Sequence, residues 1–228
     1  MMKVSDTLNH KNTIYIDFEG NKAGELFLLG FDRGEGYQVW VLHDDLRGWA
    51  AAKGFYFATP RDVLDLINQH QVIVAYSQAE RTTLNHLAAV HGKPLSEHLK
   101  YLDARKLCVA WAKSCHKTQF DQLPDLGTTL AEKNRPRKKA LIGMARLVGL
   151  DCWRGYGFGL VMKRIQQVRT GLIAKDGQYS KLTAHQKRQA SKVITHNTFD
   201  IEAMRLLVET ALSERPTLYK RYMSPLLT

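Results

Sequence analysis

The chain has 228 residues, 44% of them hydrophobic and 24% charged, which suits one globular domain with a sizeable core. Its net charge of +11 favours a polyanionic partner, and no apolar run reaches the roughly 18 residues that a membrane span needs. Residues 1–11 lack the apolar centre of a signal peptide, and three cysteines cannot all pair in disulfides. We therefore expect a cytoplasmic protein with no membrane association.

Three β-rich segments come first in the chain. Residues 13–18, 25–31 and 37–42 are rich in apolar, β-branched and aromatic side chains, and a glycine-containing loop joins the last two. This arrangement predicts three antiparallel strands. Thr59 and Pro60 then predict the start of a helix over residues 60–69.

Short apolar segments alternate with helical patterns in the middle of the chain. Residues 72–76 form a continuous apolar run that is typical of a buried parallel strand, and a helix is predicted over 79–91. Residues 100–103 predict a fifth strand, followed by a helix over 104–113.

The last third of the chain favours helices. Helical spacing of apolar residues predicts helices over 138–150 and 160–170. Thr183 and Gln186 match a capping box, which predicts the start of a helix that extends to about residue 212.

The order of elements predicts an α/β fold. The expected sheet is mixed and five-stranded, with three antiparallel strands followed by parallel ones, and helices flank it. Residues 13–212 are expected to form one domain, between a flexible N-terminus at 1–12 and a C-terminal tail at 213–228.

Two acidic residues stand at the end of the first predicted strand. Asp17 and Glu19 are two positions apart, so their side chains project from the same face of the strand. Two carboxylates this close repel each other unless one is protonated or a cation lies between them, and oxygen ligands suit Mg²⁺ or Mn²⁺. A solvated strand end before Gly20 is the alternative interpretation.

Glu80 lies just after the fourth predicted strand, in the first turn of a helix. This position makes it a further candidate metal ligand. An acidic side chain in a first helical turn also complements the helix dipole, which is the structural alternative.

His196 and Asp200 are four residues apart in the last predicted helix, so they share one face. A titratable imidazole beside a metal-binding carboxylate suits the activation of water. A surface ion pair or a core histidine remains the alternative.

The order of these motifs resembles that of the DEDD (DnaQ-like) 3′–5′ exonuclease superfamily, and is most similar to ribonuclease H-like exonucleases whose third motif is Y-N-x-x-D. The matching segments are YIDFEG (15–20), VAYSQAE (74–80), YLDARKL (101–107), KALIGMARLVGL (139–150) and HNTFDIEA (196–203). The resemblance implies a ribonuclease H-like fold and two Mg²⁺ or Mn²⁺ ions. The implied site residues are the ligands Asp17, Glu19, Glu80 and Asp200, with Asp103 as an additional candidate, and His196 to orient or deprotonate water.

Two positions depart from the family pattern. Glu80 stands where the main branch has Asp, and His196 stands at the four-residue spacing where the tyrosine branch has Tyr. A non-catalytic nucleic-acid-binding module on the same fold and a structure-specific endonuclease therefore remain as alternative functions.

The positive charge is concentrated in one part of the chain. Residues 132–192 hold 15 Lys and Arg against 3 Asp and Glu, whereas the rest of the chain holds 18 against 19. Such a concentration predicts contact with a nucleic-acid backbone, with a solubilising surface or acidic lipid as alternatives. The candidate contacts are Arg135, Arg137, Lys138, Lys139, Arg146, Lys163 and Arg164.

Overall fold

The structure is a computed structural model that describes residues 8, 12–21, 23–123, 139–151 and 160–227. As predicted, the protein is an α/β protein in which helices flank a mixed sheet. The strands are β1 (Thr13–Gly20), β2 (Leu26–Asp32), β3 (Tyr37–Val41), β4 (Tyr56–Phe57), β5 (Val72–Ala75), β6 (Lys100–Asp103) and β7 (Met223–Pro225). Their order across the sheet is β4-β3-β2-β1-β5-β6-β7.

The helices come from all parts of the described chain. They are α1 (Arg47–Lys53), α2 (Pro60–Asn68), α3 (Gln78–His91), α4 (Ala104–Cys115), α5 (Lys117–Gln122), α6 (Leu141–Ala145), α7 (Val161–Ile173), α8 (Ala184–Glu214) and α9 (Leu218–Tyr222). Short 3-10 turns occur at Asp44–Leu46, Arg146–Val148 and Tyr179–Lys181.

The predicted centre of the sheet is confirmed. Strands β1, β2 and β3 are antiparallel neighbours, β5 is parallel to β1, and β6 is parallel to β5. The expected count of five strands is wrong, because β4 pairs with β3 and β7 pairs with β6 at the two edges. These edge strands have two and three residues, so they are too short for an alternating pattern to be recognised in the sequence.

The long helix α8 begins at the predicted capping box. The hydroxyl of Thr183 accepts a hydrogen bond from the backbone N–H of Gln186 at 3.2 Å, and the Gln186 side chain accepts one from the backbone N–H of Thr183 at 3.0 Å. These bonds satisfy two N–H groups that the helix itself leaves without a partner. The helix continues to Glu214.

The helix expected over residues 138–150 is shorter than predicted. Only Leu141–Ala145 is α-helical, and the chain tightens into a 3-10 turn at Arg146–Val148. Gly149 then adopts a φ of 77°, a conformation that glycine reaches without strain and that ends the helix. Apolar spacing therefore located the buried face of this segment but overestimated its helical length.

The segment expected to be a tail, residues 213–228, contains α9 and β7. Arg81 of α3 donates hydrogen bonds to the carbonyl oxygens of Pro225 at 2.8 Å and Leu226 at 2.9 Å. Leu226 is fully buried, and Leu8, in the expected flexible N-terminus, is buried too. Both placements depend on tertiary contacts that a local sequence pattern does not reveal.

The sheet separates packed layers whose positions fix the candidate site. Ile14 and Ile16 of β1 pack with α2 and α3 on one face, whereas Tyr15 packs with α4 and α8 on the other. A third cluster joins β2 and β3 to α1, α7 and the first half of α8. Residues at the end of β1 on the Tyr15 face therefore lie against the middle of α8.

We predict that Leu226, the residue directly after β7, stabilises the domain. Leu226→Ala should lower the free energy of unfolding by about 2–5 kcal/mol, because it removes a fully buried side chain and leaves a cavity. The matched control is Leu227→Ala, whose side chain is 41% exposed and whose cost should stay within about 0.5 kcal/mol. Chemical denaturation followed by circular dichroism measures both, and equal costs would contradict the prediction.

Candidate metal centre

Asp17 and Glu19 lie at the carboxyl end of β1, as predicted. Asp17 is paired with Gly30 of β2 and Glu19 with Leu28, and both acidic residues are partly buried. Phe18 between them packs with the cluster on the opposite face of the sheet. The strand alternation therefore directs the two carboxylates to the face that α8 covers.

Asn197 of α8 holds Asp17 in place. Its side-chain amide donates a hydrogen bond to Asp17 Oδ2 at 2.6 Å, and its carbonyl oxygen accepts one from the Tyr37 hydroxyl at 2.9 Å. The Asn197 side chain is fully buried over Gly30, where an added Cβ would lie 1.7 Å from its Oδ1. Sequence reasoning missed Tyr37 and Gly30, although a glycine inside a strand is a known sign of close approach by a neighbouring group.

A compact group of three potential ligands lies beside Asp17. One ligand atom each from Glu19, His196 and Asp200 lies within 4.8 Å of the others. His196 Nε2 is 3.3 Å from Asp200 Oδ2, across one turn of α8, and the two side chains are 8% and 14% exposed. The structure thus brings together residues that are about 180 positions apart in the sequence.

Glu80 enters the same region from α3. Its side chain is buried, and Glu80 Oε2 accepts a hydrogen bond from the hydroxyl of Ser77, the residue that caps α3, at 2.8 Å. Ser77 is itself held by a hydrogen bond from the Tyr101 hydroxyl to its carbonyl oxygen. These bonds fix the first turn of α3 relative to β6.

All five residues predicted to be catalytic line one cavity of about 320 Å³. They are Asp17, Glu19, Glu80, His196 and Asp200. The remaining lining residues are mostly apolar or aromatic and come largely from α6 and α7: Tyr76, Ser77, Ala140, Leu141, Ile142, Val161 and Met162. The lining therefore combines acidic side chains from β1, α3 and α8 with apolar side chains from α6 and α7.

Burial without a counter-charge raises the pKa of the carboxyl groups in the cavity. The pKa of Asp17 is raised well above its ordinary value, first by burial and then by the charges of Glu19 and Asp200. The hydrogen bond from Asn197 opposes this shift. Burial, and then the charge of Asp200, raises the pKa of Glu19 from 4.5 to about 8. The pKa of Glu80 is also raised, mainly by burial.

Asp103, the additional candidate ligand, does not line the cavity. Its Oδ1 accepts a hydrogen bond from the backbone N–H of Lys106 at 2.9 Å and caps α4. Its Oδ2 accepts one from the Gln78 side chain at 2.7 Å and lies 3.5 Å from the Lys106 ammonium. These contacts show that Asp103 positions α3 against α4, and its role as a metal ligand stays a prediction.

Of the candidate nucleic-acid contacts, three lie outside the described residues, three are exposed and one, Arg164, is buried. Arg135, Arg137 and Lys138 lie outside the described residues. Lys139, Arg146 and Lys163 are exposed, and Lys139 adjoins the cavity because its carbonyl oxygen accepts a hydrogen bond from the Tyr76 hydroxyl at 3.2 Å.

Arg164 corrects the prediction of a surface contact. It is 6% exposed, because it belongs to the buried stripe that Val161, Ile165 and Val168 form at helical spacing on α7. The sequence places Arg164 beside Lys163 in a basic pair, but successive residues on a helix face different directions. Only Lys163 of this pair faces solvent.

Comparison with known proteins does not assign the chain to a class. No family model matches it, and no curated protein sequence gives a significant match. Within the described ranges, no helix is both long enough and apolar enough to cross a membrane. The function is therefore inferred from the side chains of the cavity.

We predict that Gly30→Ala displaces Asn197 and destabilises the protein by about 1–3 kcal/mol, the usual cost of overpacking. Adding Asn197→Ala to this variant should remove the clash, so the double variant should lose less stability than the sum of the two single variants. Denaturation of all four proteins gives this coupling directly. If the losses in the free energy of unfolding are additive, the close approach of Asn197 is not the reason that position 30 requires glycine.

We also predict that, in chelator, stability falls as the pH rises from about 4.5 to about 8. In this window the folded protein retains protons that the unfolded chain releases from Glu19 and Asp17, so rising pH favours unfolding. We expect Mn²⁺ to bind the deprotonated carboxylates and therefore to raise the thermal midpoint most near the upper end of the window.

Thermal unfolding in chelator and in saturating MnCl₂ measures this effect. The combined variant Asp17→Asn, Glu19→Gln should flatten the pH dependence and abolish the response to Mn²⁺. The exposed Glu97→Gln should change neither. A wild-type midpoint that rises with pH in chelator would be inconsistent with raised carboxyl pKa values in the folded state.

Proposed function

We propose that this protein is a divalent-metal-dependent nuclease of the ribonuclease H-like class, acting as a 3′–5′ exonuclease on DNA or RNA. The observation that carries the proposal is the convergence of five side chains from β1, α3 and α8 on one cavity: Asp17, Glu19, Glu80, His196 and Asp200. These are the positions at which the resemblance to the DEDD exonucleases implies metal ligands and a residue that activates water.

The sheet supports the proposed class. Five central strands have the order β3-β2-β1-β5-β6, with β1 to β3 antiparallel and β5 and β6 parallel to β1. This agrees with the three antiparallel strands followed by parallel strands that the sequence predicts. The edge strands β4 and β7 extend it without altering the centre.

The donor set fits divalent cations. Glu19 and Asp200 offer two carboxylates whose oxygens suit Mn²⁺ and Mg²⁺, and the imidazole of His196 lies within 4.8 Å of them, where it would face a metal-bound water. Asp17 and Glu80 line the same cavity and would complete a site for two ions. No Lys or Arg is among the described residues that line the cavity, and burial raises the pKa of the Asp17, Glu19 and Glu80 carboxyl groups.

Bound divalent ions would supply a Lewis acid for the scissile phosphate and lower the pKa of a water molecule. The side chains around them have separate tasks. His196 would orient the attacking water and take its proton, while Asp200, 3.3 Å away, aligns the imidazole. Asn197 fixes the carboxylate of Asp17, and Leu141 and Ile142 give the terminal sugar and base an apolar surface to pack on.

One observation favours a second candidate function. His196 stands four residues before Asp200, where the tyrosine branch of the proposed family has Tyr, so the site departs from the pattern at the residue closest to the water. A non-catalytic nucleic-acid-binding module would keep the cavity and the fold but have no activity. A structure-specific endonuclease would keep the metal chemistry but not need a free end.

The test is hydrolysis of 5′-labelled DNA and RNA whose 3′ ends are free or blocked, in Mn²⁺, Mg²⁺ or chelator. We expect a metal-dependent ladder that starts from the free 3′ end. Asp17→Asn and Asp200→Asn should each lower the rate about 1,000-fold, because a lost metal contact removes several kcal/mol of transition-state stabilisation.

The matched control for Asp200→Asn is Glu202→Gln, an exposed residue on the same helix. It should retain wild-type activity. Cleavage of a circular substrate at comparable rates would favour the endonuclease, and oligonucleotide binding without hydrolysis in either metal would favour the binding module. Equal activity in wild type and both Asp variants would reject the site.

A further inference from the structure

A second concave surface lies on α8 outside the cavity. It has a volume of about 480 Å³ and is formed by Lys53 at the end of α1, Lys187, Arg188, Ser191 and Lys192 of α8, and the edge of Tyr179. We call these six residues the basic groove. None of them belongs to the set of nucleic-acid contacts predicted from the sequence.

The positive charge of the basic groove is not neutralised by the part of the chain that the structure describes. Among the described residues, neither Lys53 nor any of the three cations on α8 forms an ion pair with an acidic side chain. Other basic residues differ in this respect: Arg169 is 2.6 Å from Asp45, and Arg205 is 2.7 Å from Asp32. The groove therefore has charge available for an anionic partner.

Tyr179 supports the cations and is not itself presented to a ligand. Tyr179 is only 9% exposed. The ammonium groups of Lys53 and Lys187 lie 5.5 Å and 6.0 Å from the centroid of its ring. The Lys187 ammonium also donates a hydrogen bond to the carbonyl oxygen of Ser180 at 2.7 Å. Because the ring is not available for stacking on a base, the groove suits recognition of a backbone and not of a base sequence.

A ridge of α8 residues runs from the groove to the candidate metal centre. Arg188, Lys192, His196 and Asp200 follow at four-residue spacing, so each side chain neighbours the next, and the ridge turns about 40° around the helix at each step, roughly 120° in all. At about 1.5 Å per residue, the ridge spans roughly 18 Å. This is on the order of five nucleotides at the rise of about 3.4 Å per nucleotide in a B-form strand.

We propose that the basic groove binds the phosphates of the nucleic-acid strand whose 3′ end lies in the cavity. This inference rests on the proposed function and adds a substrate path: the strand leaves the metal centre along the ridge of α8 toward Arg188. With this path, the protein should prefer strands longer than about five nucleotides and should show no sequence preference in the groove.

The test measures binding and not turnover. Fluorescence anisotropy in chelator compares labelled oligonucleotides of roughly four and roughly twelve nucleotides, lengths that fall on either side of the predicted span. The combined variant Lys187→Gln, Arg188→Gln, Lys192→Gln should bind the longer strand about 100-fold more weakly near 0.1 M salt. The slope of log affinity against log salt should fall in magnitude by about two, as expected for three lost phosphate contacts on a single strand.

A charge-matched control separates the groove from the overall charge. Arg61→Gln, Lys113→Gln, Lys220→Gln removes three exposed cations from α2, α4 and α9 and should leave affinity within a few-fold of wild type. The inference is overturned if both variants lose affinity equally, if the groove variant still prefers the longer strand, or if polyglutamate competes as well as nucleic acid, which would indicate an acidic protein partner.

The outcomes also separate this inference from the proposed nuclease activity. Binding in chelator needs no catalysis, so loss of length preference in the groove variant supports the groove even if no hydrolysis is found. If hydrolysis is found, the groove variant should raise the KM for the longer strand and keep its kcat, because it leaves the cavity unchanged.

Discussion

The burial of neighbouring carboxylates at the end of β1 is the constraint on which the arrangement of the site depends. Burial, and then the charges of neighbouring carboxylates, raises the pKa of Asp17 and of Glu19. A domain that serves only to be stable would not collect such charges, since each one costs free energy. The surrounding structure holds them: Asn197 donates to Asp17, and Ser77 donates to Glu80.

Local sequence patterns predicted the features that depend on residues near one another in the chain. The alternation of β1 gave the shared face of Asp17 and Glu19, and the capping box at Thr183 located the start of α8. The i, i+4 spacing gave the contact of His196 with Asp200. No single motif specifies a long-range contact. The prediction that these residues share one site came from the order of the motifs along the chain.

The features that escaped prediction depend on tertiary contacts. β7 is three residues long and is ordered by its pairing with β6 and by Arg81. Arg164 sits in the buried stripe of α7, although its charge suggests a surface position. The basic groove combines α1 with α8, elements that are far apart in the sequence, so a count of charges along the chain located its positive charge only in part.

The contacts of Arg81 link the far edge of the sheet to the cavity. Arg81 follows Glu80 directly in α3, holds Pro225 and Leu226 through their carbonyl oxygens, and lies 5.9 Å from the ring centroid of Tyr101. A displacement of β7 would therefore be transmitted to the first turn of α3 through the Arg81 side chain. A fusion partner or affinity tag attached next to this strand would therefore act on the position of Glu80.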